Sequence, residues 1–344
     1  MKKLIAVALT ISFLAVNGYG YAARGHRLVG AIADRRLAKN TAVRDKVRAL
    51  LEGLTLEQVA TLPDEIKSWD ACGGKTPNNS PVTNRKRINR ELRAFLNANL
   101  CSDNPSHGEF HYTNIPVTGD EKYADGQVGR REFDIVHLIP FCIRVLRGDI
   151  PETNDRAITK AVAVILITHY VGDIHQPLHV GAQFFNSEGD PFQPSTSNPG
   201  FADQGGNKLT LFTFVKGKRA PAGKLHGYWD FQTVENAFGN AADTSIAQSL
   251  AAKTPSNWKL DGAIELWSEQ LANLMMPVSR EAHSRLEYRE IESQTGKQDI
   301  LSGRAEEKKK TGGDFYAVWA AATVKGQIHK GGWRLAALLE QALQ

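Results

Sequence analysis

A histidine and an aspartate, His169 and Asp173, lie four positions apart in a long apolar segment. On a helix this spacing places both side chains on one face, where they can reach the same metal ion. Pro177 should end that helix, and His179 follows it, so a third ligand can turn back toward the same face. Imidazole and carboxylate suit Zn²⁺, although a buried hydrogen-bonded pair shows the same spacing. The segment alone predicts a metal site or a buried polar pair, and no reaction.

The same spacing recurs at His226 and Asp230. A buried polar pair would have to occur on two separate helices to explain both, so the repetition favours metal binding. Two further histidines, His26 near the N-terminus and His111 in a loop-like segment, carry little information when taken alone.

The segments that must position these residues are mainly helical. Near-continuous apolar residues predict a buried central helix over 154–172, with Thr153 as its N-cap. Pro63 suits the first turn of another helix, on which Asp64 and Lys67 share a face. The sequence therefore predicts an all-α fold that wraps around one central helix.

Two segments depart from this helical pattern. Residues 183–185 and 209–214 alternate like strands and predict a small two-stranded β-hairpin excursion near the mouth of the site. A helix is predicted over 260–288, and the charged, glycine-containing segment 296–313 is predicted to be an exposed loop. We find no internal repeat and no linker that would divide the chain.

The N-terminus has the pattern of a secretory signal peptide. Lys2 and Lys3 precede an apolar run from Leu4 to Val16, which is too short to span a bilayer, and small residues follow. We therefore expect residues 1–20 to be removed and 21–344 to form one domain in the periplasm or outside the cell. Removing both lysines lowers the formal charge from +5 to +3, which is too weak to indicate nucleic-acid binding.

The chain has three cysteines, so at most one intramolecular disulfide can form. Cys142 lies in an apolar helical pattern and is predicted to be a small buried hydrophobic residue. Because an exported protein can form disulfides, our hypothesis is a bridge between Cys72 and Cys101.

Taken in order, the motifs resemble those of the trinuclear-zinc single-strand nucleases of fungi, plants and bacteria. The resemblance spans nearly all of the chain after the signal peptide, and the motifs are Gly25-His26, Asp64-x-x-Lys67, His111-Tyr112, His169-x-x-x-Asp173-x-x-x-x-x-His179, Asp203-x-Gly205-Gly206-Asn207, His226-x-x-x-Asp230 and Gly331-Gly332-Trp333-Arg334-Leu335-Ala336. This family is helical, is related in fold to zinc phospholipases C, and carries three zinc ions in a cleft.

The resemblance also implies which residues bind the ions. The first zinc would be held by Asp64, His111, His169 and Asp173, and the third by His179, His226 and Asp230. The second would share Asp173 and would be bound by His26 and by the free amine and carbonyl of the N-terminal residue. Where the family usually has Trp as that residue, this chain has Tyr21, five positions before His26. Signal cleavage after Gly20 would expose Tyr21, and cleavage after Ala22 fits the small-residue rule equally.

The expected reaction is hydrolysis of single-stranded DNA and RNA to 5′-phosphate ends, with 3′-nucleotides as further substrates. Zinc ions that share Asp173 would lower the pKa of water to about 7, while Lys67 neutralises charge on the phosphoryl oxygens. Asp64 and Asp173 therefore count as catalytic residues.

Asn207 is the candidate for reading a base edge, and Gly205 and Gly206 would let the substrate backbone approach. Asn114 replaces an acidic residue of fungal members and would add a neutral hydrogen-bonding group. We expect a monomer with no stable protein partner. The alternatives are a zinc phospholipase C and an exported zinc-binding protein without catalysis.

Overall fold

The computed structural model describes residues 21–69, 75–100, 106–293, 296–309 and 314–344. Over these ranges the chain is mainly helical, which confirms the predicted fold class. The helices are α1 Ala23–Leu37, α2 Thr41–Leu50, α3 Leu56–Val59, α4 Leu62–Glu65, α5 Lys86–Ala98, α6 Ile135–Arg147, α7 Lys160–Asp173, α8 Leu225–Gly227, α9 Thr233–Phe238, α10 Asp243–Ala252, α11 Trp267–Ser284 and α12 Tyr316–Ala342. The strands are β1 Ile115–Pro116, β2 Gly181–Ala182, β3 Phe184–Phe185, β4 Phe201–Ala202, β5 Leu209–Val215, β6 Lys218–Lys224, β7 Leu286–Ser293 and β8 Ile300–Glu307.

Helix α7 lies at the centre of the fold. Every residue from Ala161 to Asp173 is buried, and the helix contacts α1, α5, α6 and α12. A helix enclosed on all sides needs apolar side chains around its whole circumference, which explains its nearly continuous hydrophobic sequence. The polar residues His169 and Asp173 at its C-terminal end are therefore held in the protein interior.

Helix α7 begins later than its sequence pattern predicts. Its N-cap is Thr159, whose hydroxyl accepts a hydrogen bond from the amide of Val162 at 3.2 Å. The predicted start after Thr153 is wrong because the side chain of Asn154 closes a separate turn, accepting from the amide of Ile158 at 3.1 Å. Asparagine competes with helix formation through such local bonds.

Strands form a larger part of the fold than the sequence predicts. One sheet has four strands in the order β6-β5-β8-β7, with β5 and β8 parallel and the other neighbours antiparallel. The predicted pairing of 183–185 with 209–214 is wrong, since β3 pairs with β4 and β5 with β6 and β8. The predicted helix over 260–288 also stops early, at Ser284, and the chain enters β7 at Leu286.

The segment predicted as an exposed loop supplies strand β8. Glu306 and Glu307 at its end are each 4% exposed. The carboxylate of Glu306 accepts hydrogen bonds from Arg304 and from Arg219 on β6, both at 2.7 Å. Glu307 accepts from the amide of Tyr316 at 2.8 Å, at the start of α12. The two glutamates of this charged run thus lie in the core, where β6 and the start of α12 supply partners, whereas Lys308 and Lys309 are exposed.

The cysteine predictions are tested in part. Cys142 is a buried free thiol on α6, as predicted. Cys72 and Cys101 lie outside the described residues, so their pairing stays a prediction. Within the described ranges, no helix combines the length and apolar character needed to cross a bilayer.

Candidate metal centre

The C-terminal turn of α7 brings His169 and Asp173 together, with Nε2 3.1 Å from Oδ2. His111, at the end of a 3₁₀ turn, places Nδ1 2.9 Å from the same Asp173 oxygen and 3.0 Å from His169 Nε2. Asp64, on α4, places Oδ1 3.6 Å from His169 Nε2 and 3.7 Å from His111 Nδ1. The four predicted ligands of the first ion therefore converge.

The second carboxylate oxygen of Asp173 faces a different imidazole. His26 on α1 lies with Nε2 3.3 Å from Asp173 Oδ1, and its ring stacks on His169 at 3.7 Å between centroids. Gly172 makes room for this ring, because a Cβ there would lie 2.6 Å from His26 Nδ1. The two oxygens of Asp173 thus face separate imidazole groups, as a bridging carboxylate would.

Tyr21 lies beside this group. Its side chain is fully buried, its hydroxyl donates to the carbonyl of His175 at 2.7 Å, and its ring centroid is 6.3 Å from that of His26. The first residue after the predicted cleavage site is therefore anchored next to His26.

A second group of ligand atoms forms around Asp230. His226, on α8, and Asp230, in a π-helical turn over Tyr228–Gln232, place Nε2 and Oδ2 3.3 Å apart. His179 follows Pro177 in a 3₁₀ turn and places Nε2 3.9 Å from Asp230 Oδ1. The three residues predicted for the third ion therefore also converge.

Backbone carbonyls fix which ring nitrogen of three histidines faces the centre. Nδ1 of His169, His179 and His226 lies 2.7, 2.9 and 2.7 Å from the carbonyl oxygens of Ala60, His111 and Gly205. Because a carbonyl oxygen only accepts, each Nδ1 carries the proton and each Nε2 presents a lone pair. This arrangement is typical of metal-binding histidines.

Several buried polar atoms of the centre have no hydrogen-bond partner among the described residues. They are both ring nitrogens of His26, Nε2 of His111 and His179, Oδ1 of Asp173 and Oδ2 of Asp230. An unpartnered buried polar atom costs about 1–3 kcal/mol. Nε2 of His26 and His179, Oδ1 of Asp173 and Oδ2 of Asp230 face other ligand atoms, so these four atoms are suited to bind a cation. The donor atoms fit this, because they form three sets, and the ligand atoms within each set lie within 4.8 Å of one another: His26, Asp64 and His169; His111, His169 and Asp173; His179, His226 and Asp230.

Burial and neighbouring charges shift the pKa values of the first group in different directions. At His169, burial opposes protonation, but the charges of Asp173 and Asp64 outweigh it and raise the pKa; a cation bound at Nε2 would favour the neutral ring. Burial lowers the pKa of His26 and of His111, so both are neutral at pH 7. Although burial alone would raise the pKa of Asp64, the charges of His169 and Lys67 outweigh it and lower the pKa to about 2. Asp230 differs, since burial raises its pKa, and a bound cation would restore its charged form.

A cleft of about 650 Å³ opens beside both groups and includes Asp64 and Asp230 in its lining. Lys67 lies close by, with Nζ 2.8 Å from Asp64 Oδ1. The cleft is also lined by Arg27, which is exposed, and by Phe231, whose side chain is 55% exposed. The cleft therefore places an exposed cation and an exposed aromatic ring beside the centre, together with the acidic residues Glu65, Glu235 and Asp243.

Comparison with known proteins identifies the family. A family model described as S1/P1 Nuclease matches residues 21–344. The chain belongs to the S1/P1 nuclease family. It is similar to Endonuclease 5 of Arabidopsis thaliana, with 23% identity over 99% of this chain and 96% of that protein. Endonuclease 4 of the same plant is 26% identical over 52% of this chain and 50% of its own length.

This S1/P1 nuclease is therefore a hydrolase acting on phosphodiester bonds, and its His and Asp clusters could hold metal ions. Family membership favours a nuclease over a phospholipase C and over a zinc-binding protein without catalysis. Asn207 and Asn114, which are predicted to contact substrate, lie apart from the cleft lining. Asn207 is exposed, and Asn114 is half-buried, with its backbone N–H donating to the Gly129 carbonyl at 2.9 Å. Their roles stay predictions.

Gly205 and Gly206 are buried, and the space a side chain would take is filled by protein atoms. A Cβ at Gly205 would lie 2.3 Å from the Leu178 carbonyl oxygen, and one at Gly206 3.0 Å from Leu225 Cγ. Both have positive φ angles, which glycine adopts without strain. The carbonyl of Gly205 also accepts a hydrogen bond from Nδ1 of His226, so this turn helps to orient His226, a predicted metal ligand.

Sequence reasoning missed Arg27 and Phe231. Each directly follows a predicted ligand, His26 and Asp230 respectively, and this adjacency was the available signal. An exposed arginine and an exposed phenylalanine are common on protein surfaces, so only the position of the cleft distinguishes them.

Proposed function

We propose that this nuclease is a zinc-dependent endonuclease that cleaves single-stranded DNA and RNA and leaves 5′-phosphate ends. The observation that carries the proposal is Asp173, a buried carboxylate whose two oxygens face separate imidazole groups, at 2.9 Å from His111 and 3.3 Å from His26. Such a carboxylate is what two neighbouring ions would share.

Three zinc ions would be held by groups that meet in the centre. The first would use Asp64, His111, His169 and Asp173, the second Asp173, His26 and the terminal amine and carbonyl of Tyr21, and the third His179, His226 and Asp230. Bound zinc would supply Lewis acidity, which lowers the pKa of a water molecule and neutralises charge on phosphoryl oxygens.

Lys67 would stabilise the negative charge that develops on the phosphoryl group. Its ammonium lies 2.8 Å from Asp64 and is about one-quarter exposed, so it adjoins both the ligand groups and the cleft. The contact with Asp64 holds the Lys67 side chain in place. A fixed cation beside the phosphate is worth about 10²-fold in rate when it acts like one donor of an oxyanion hole.

The cleft wall supports a preference for single strands. Phe231 adjoins Asp230 and is accessible to solvent, so an unstacked base could pack on its ring while the phosphate lies near Asp64 and Lys67. Base stacking on an aromatic side chain contributes about 1–3 kcal/mol per base. A base within a duplex is already stacked and would have to be released first.

Export and processing belong to the same proposal. Cleavage after Gly20 in the periplasm or outside the cell would give Tyr21 a free amine, and the hydrogen bond of its hydroxyl to the His175 carbonyl would hold it near His26. Cleavage after Ala22 would remove that anchor together with two ligand atoms.

Circular DNA tests the proposal. The zinc-loaded protein should linearise a single-stranded circle, should cut a duplex circle of the same sequence far more slowly, and should leave ends that a ligase joins without prior phosphorylation. Asp173→Asn should abolish cutting, whereas the exposed Asp149→Asn should not. Equal rates on the two circles, or 5′-hydroxyl ends, would contradict the proposal; phosphate release from a 3′-nucleotide tests the expected 3′-nucleotidase activity.

The role of Phe231 is tested by two substrates of different size. Phe231→Leu should raise KM for a single-stranded oligonucleotide by about 10-fold, because a stacking contact is lost, and should leave hydrolysis of a small aryl phosphodiester without bases unchanged. The control is Phe315→Leu, an exposed phenylalanine that does not line the cleft. Equal loss on both substrates would show that Phe231 supports the centre itself.

A further inference from the structure

Arg334, on α12, is a buried arginine that the proposed reaction does not use. It is 4% exposed, and its Nε and Nη2 donate to the carbonyls of Trp258 and Asn257 at 2.7 and 3.0 Å. Its Nη1 lies 2.8 Å from Nε2 of His175. These three partners are neutral groups, whereas a buried arginine is usually paired with a carboxylate. A planar guanidinium that reaches three acceptors fixes their relative positions.

His175 carries this contact toward the metal centre. Its Nδ1 lies 2.6 Å from the carbonyl oxygen of Val171. Because a carbonyl oxygen only accepts, Nδ1 carries the proton and Nε2 accepts from Arg334. The backbone N–H of His175 donates to the carbonyl of Gly172 at 3.0 Å. Both the ring and the backbone of this fully buried residue are therefore fixed just after α7 ends.

Tyr21 is anchored to the backbone of the same residue. Its hydroxyl donates to the carbonyl of His175 at 2.7 Å. The backbone N–H of Ala22 donates to the carbonyl of Asp230 at 2.8 Å. The residue expected to present the terminal amine is therefore held by two hydrogen bonds, one from its own side chain and one from the next backbone N–H.

Two glycines of α12 allow this arrangement. A Cβ at Gly332 would lie 2.5 Å from the side chain of Ile32 on α1, so α12 approaches α1 more closely than a larger residue would permit. A Cβ at Gly331 would lie 3.6 Å from Nδ1 of His175. The close packing of these helices brings Arg334 to His175, which gives the C-terminal glycine-containing motif a role.

We propose that Arg334 is a positioning residue that acts through His175 on Tyr21. By fixing the terminal residue it raises the affinity for the zinc ion that the proposed function assigns to Tyr21 and His26, so this role rests on the proposed function. Groups that orient a metal ligand typically change metal affinity by about 10- to 100-fold. Because the Ala22 hydrogen bond remains when the Tyr21 hydroxyl bond is lost, we expect the lower end of this range.

The reactivity of the Tyr21 amine in the whole mature protein tests this role. A zinc-bound amine should resist an amine-reactive reagent, so mass analysis of the N-terminal peptide at buffered free zinc concentrations gives a midpoint of protection. Arg334→Lys keeps the charge but not the planar fork, and Tyr21→Phe removes only the hydroxyl. Each should raise the midpoint by roughly 10-fold. The double variant should also stay near about 10-fold, because both changes break the same chain of contacts.

Arg130→Lys is the matched control. The Arg130 side chain is 6% exposed and donates to three backbone carbonyls of the 122–128 segment, and it also pairs with Glu121. None of these residues belongs to the candidate metal centre. The control should lower the free energy of unfolding in urea and leave the midpoint of protection unchanged. If Arg334→Lys does not fold, His175→Phe takes its place, because it removes the acceptor and keeps a ring of similar size.

Two outcomes would overturn the role of Arg334 while leaving the proposed function intact. The first is an unshifted midpoint in Arg334→Lys, or in His175→Phe where that replaces it, when zinc protects the wild-type amine. The second is a double variant with about a 100-fold shift, since independent effects would show that Arg334 does not act through Tyr21. A wild-type amine that zinc does not protect would contradict the ligand role of Tyr21 in the proposed function, and this role with it.

Discussion

The metal centre and the four-stranded sheet both bury charged groups, but they satisfy them differently. In the sheet, the buried carboxylate of Glu306 accepts from Arg219 and Arg304 at 2.7 Å each. In the metal centre, Oδ1 of Asp173 and Oδ2 of Asp230 have no hydrogen-bond partner within the described ranges. Both sets of carboxylates are buried, but Glu306 is hydrogen-bonded by arginines, whereas the two oxygens of the centre have no hydrogen-bond partner.

This difference distinguishes buried charges that stabilise the fold from buried charges that are suited to bind a metal ion. A buried charge whose partners are all protein groups contributes to the fold and needs nothing further. A cluster of buried lone pairs that face one another destabilises the protein until a cation binds between them. We therefore expect changes in the sheet to alter stability and changes in the centre to alter metal content and turnover.

The strongest test of the comparison is Asp173→Asn. Because one carboxylate serves two ions, the variant should lose two zinc ions together, and turnover on single-stranded DNA should fall at least about 10³-fold. Metal analysis and cleavage rates measure this, with Asp149→Asn as the exposed control. Three retained zinc ions would exclude the bridging role.

Lys67→Ala should have the next largest effect. A lysine next to the ligands is not itself a ligand of a cation, so the zinc content should stay the same while kcat falls by roughly 10²-fold. Zinc content and kcat are measured together, and Lys39→Ala is the control at an exposed position. If the variant loses zinc, Lys67 supports the ligand Asp64 rather than the reaction.

In the sheet, Glu306→Gln should lower stability rather than turnover. It removes the charge between Arg219 and Arg304, so the free energy of unfolding in urea should fall by about 2 kcal/mol. Zinc content and kcat should be unchanged. The exposed Glu290→Gln, which removes only a surface contact to Arg304, should cost much less.

His283 tests a separate property, the pH dependence of stability. Burial lowers its pKa to about 3, below the usual 6.5, so between these values the unfolded chain binds a proton that the folded chain does not. Stability from this group is present above pH 6.5 and is lost as the pH falls toward 3, by about 1.4 kcal/mol per pH unit.

The His283→Gln variant should therefore lose stability with acid less steeply than the wild type, as followed by urea unfolding from pH 7 to pH 4. Ser284→Ala, at the neighbouring exposed position and without a titratable side chain, should keep the wild-type slope. Parallel curves for wild type and His283→Gln would contradict the neutral state of His283.

Local spacing is what made the centre predictable. His169 with Asp173 and His226 with Asp230 are one helical turn apart, so the sequence itself places each pair on one face. The convergence of the two pairs with His26, His111 and Asp64 followed only from the family resemblance, because it depends on how separate helices pack. The structure brings these side chains close together, while their role as metal ligands remains a proposal.

Long-range partners are what made the sheet unpredictable. Glu306 and Glu307 precede three lysines, a run typical of a solvated loop, and nothing nearby in the sequence indicates Arg219 or the start of α12 as partners. The predicted start of α7 was wrong for a local reason, because a side-chain hydrogen bond of Asn154 closes a separate turn before the helix.

The most direct test of the account is the intact mass of the mature, exported protein, measured under native conditions with its metals and then denatured to define its N-terminus. The account predicts a chain that starts at Tyr21 and holds three zinc ions. A chain that starts at Tyr21 with fewer zinc ions at saturating metal would contradict the three-ion centre. A chain that starts at Ala23 and still holds three would contradict the ligand role of the N-terminal residue.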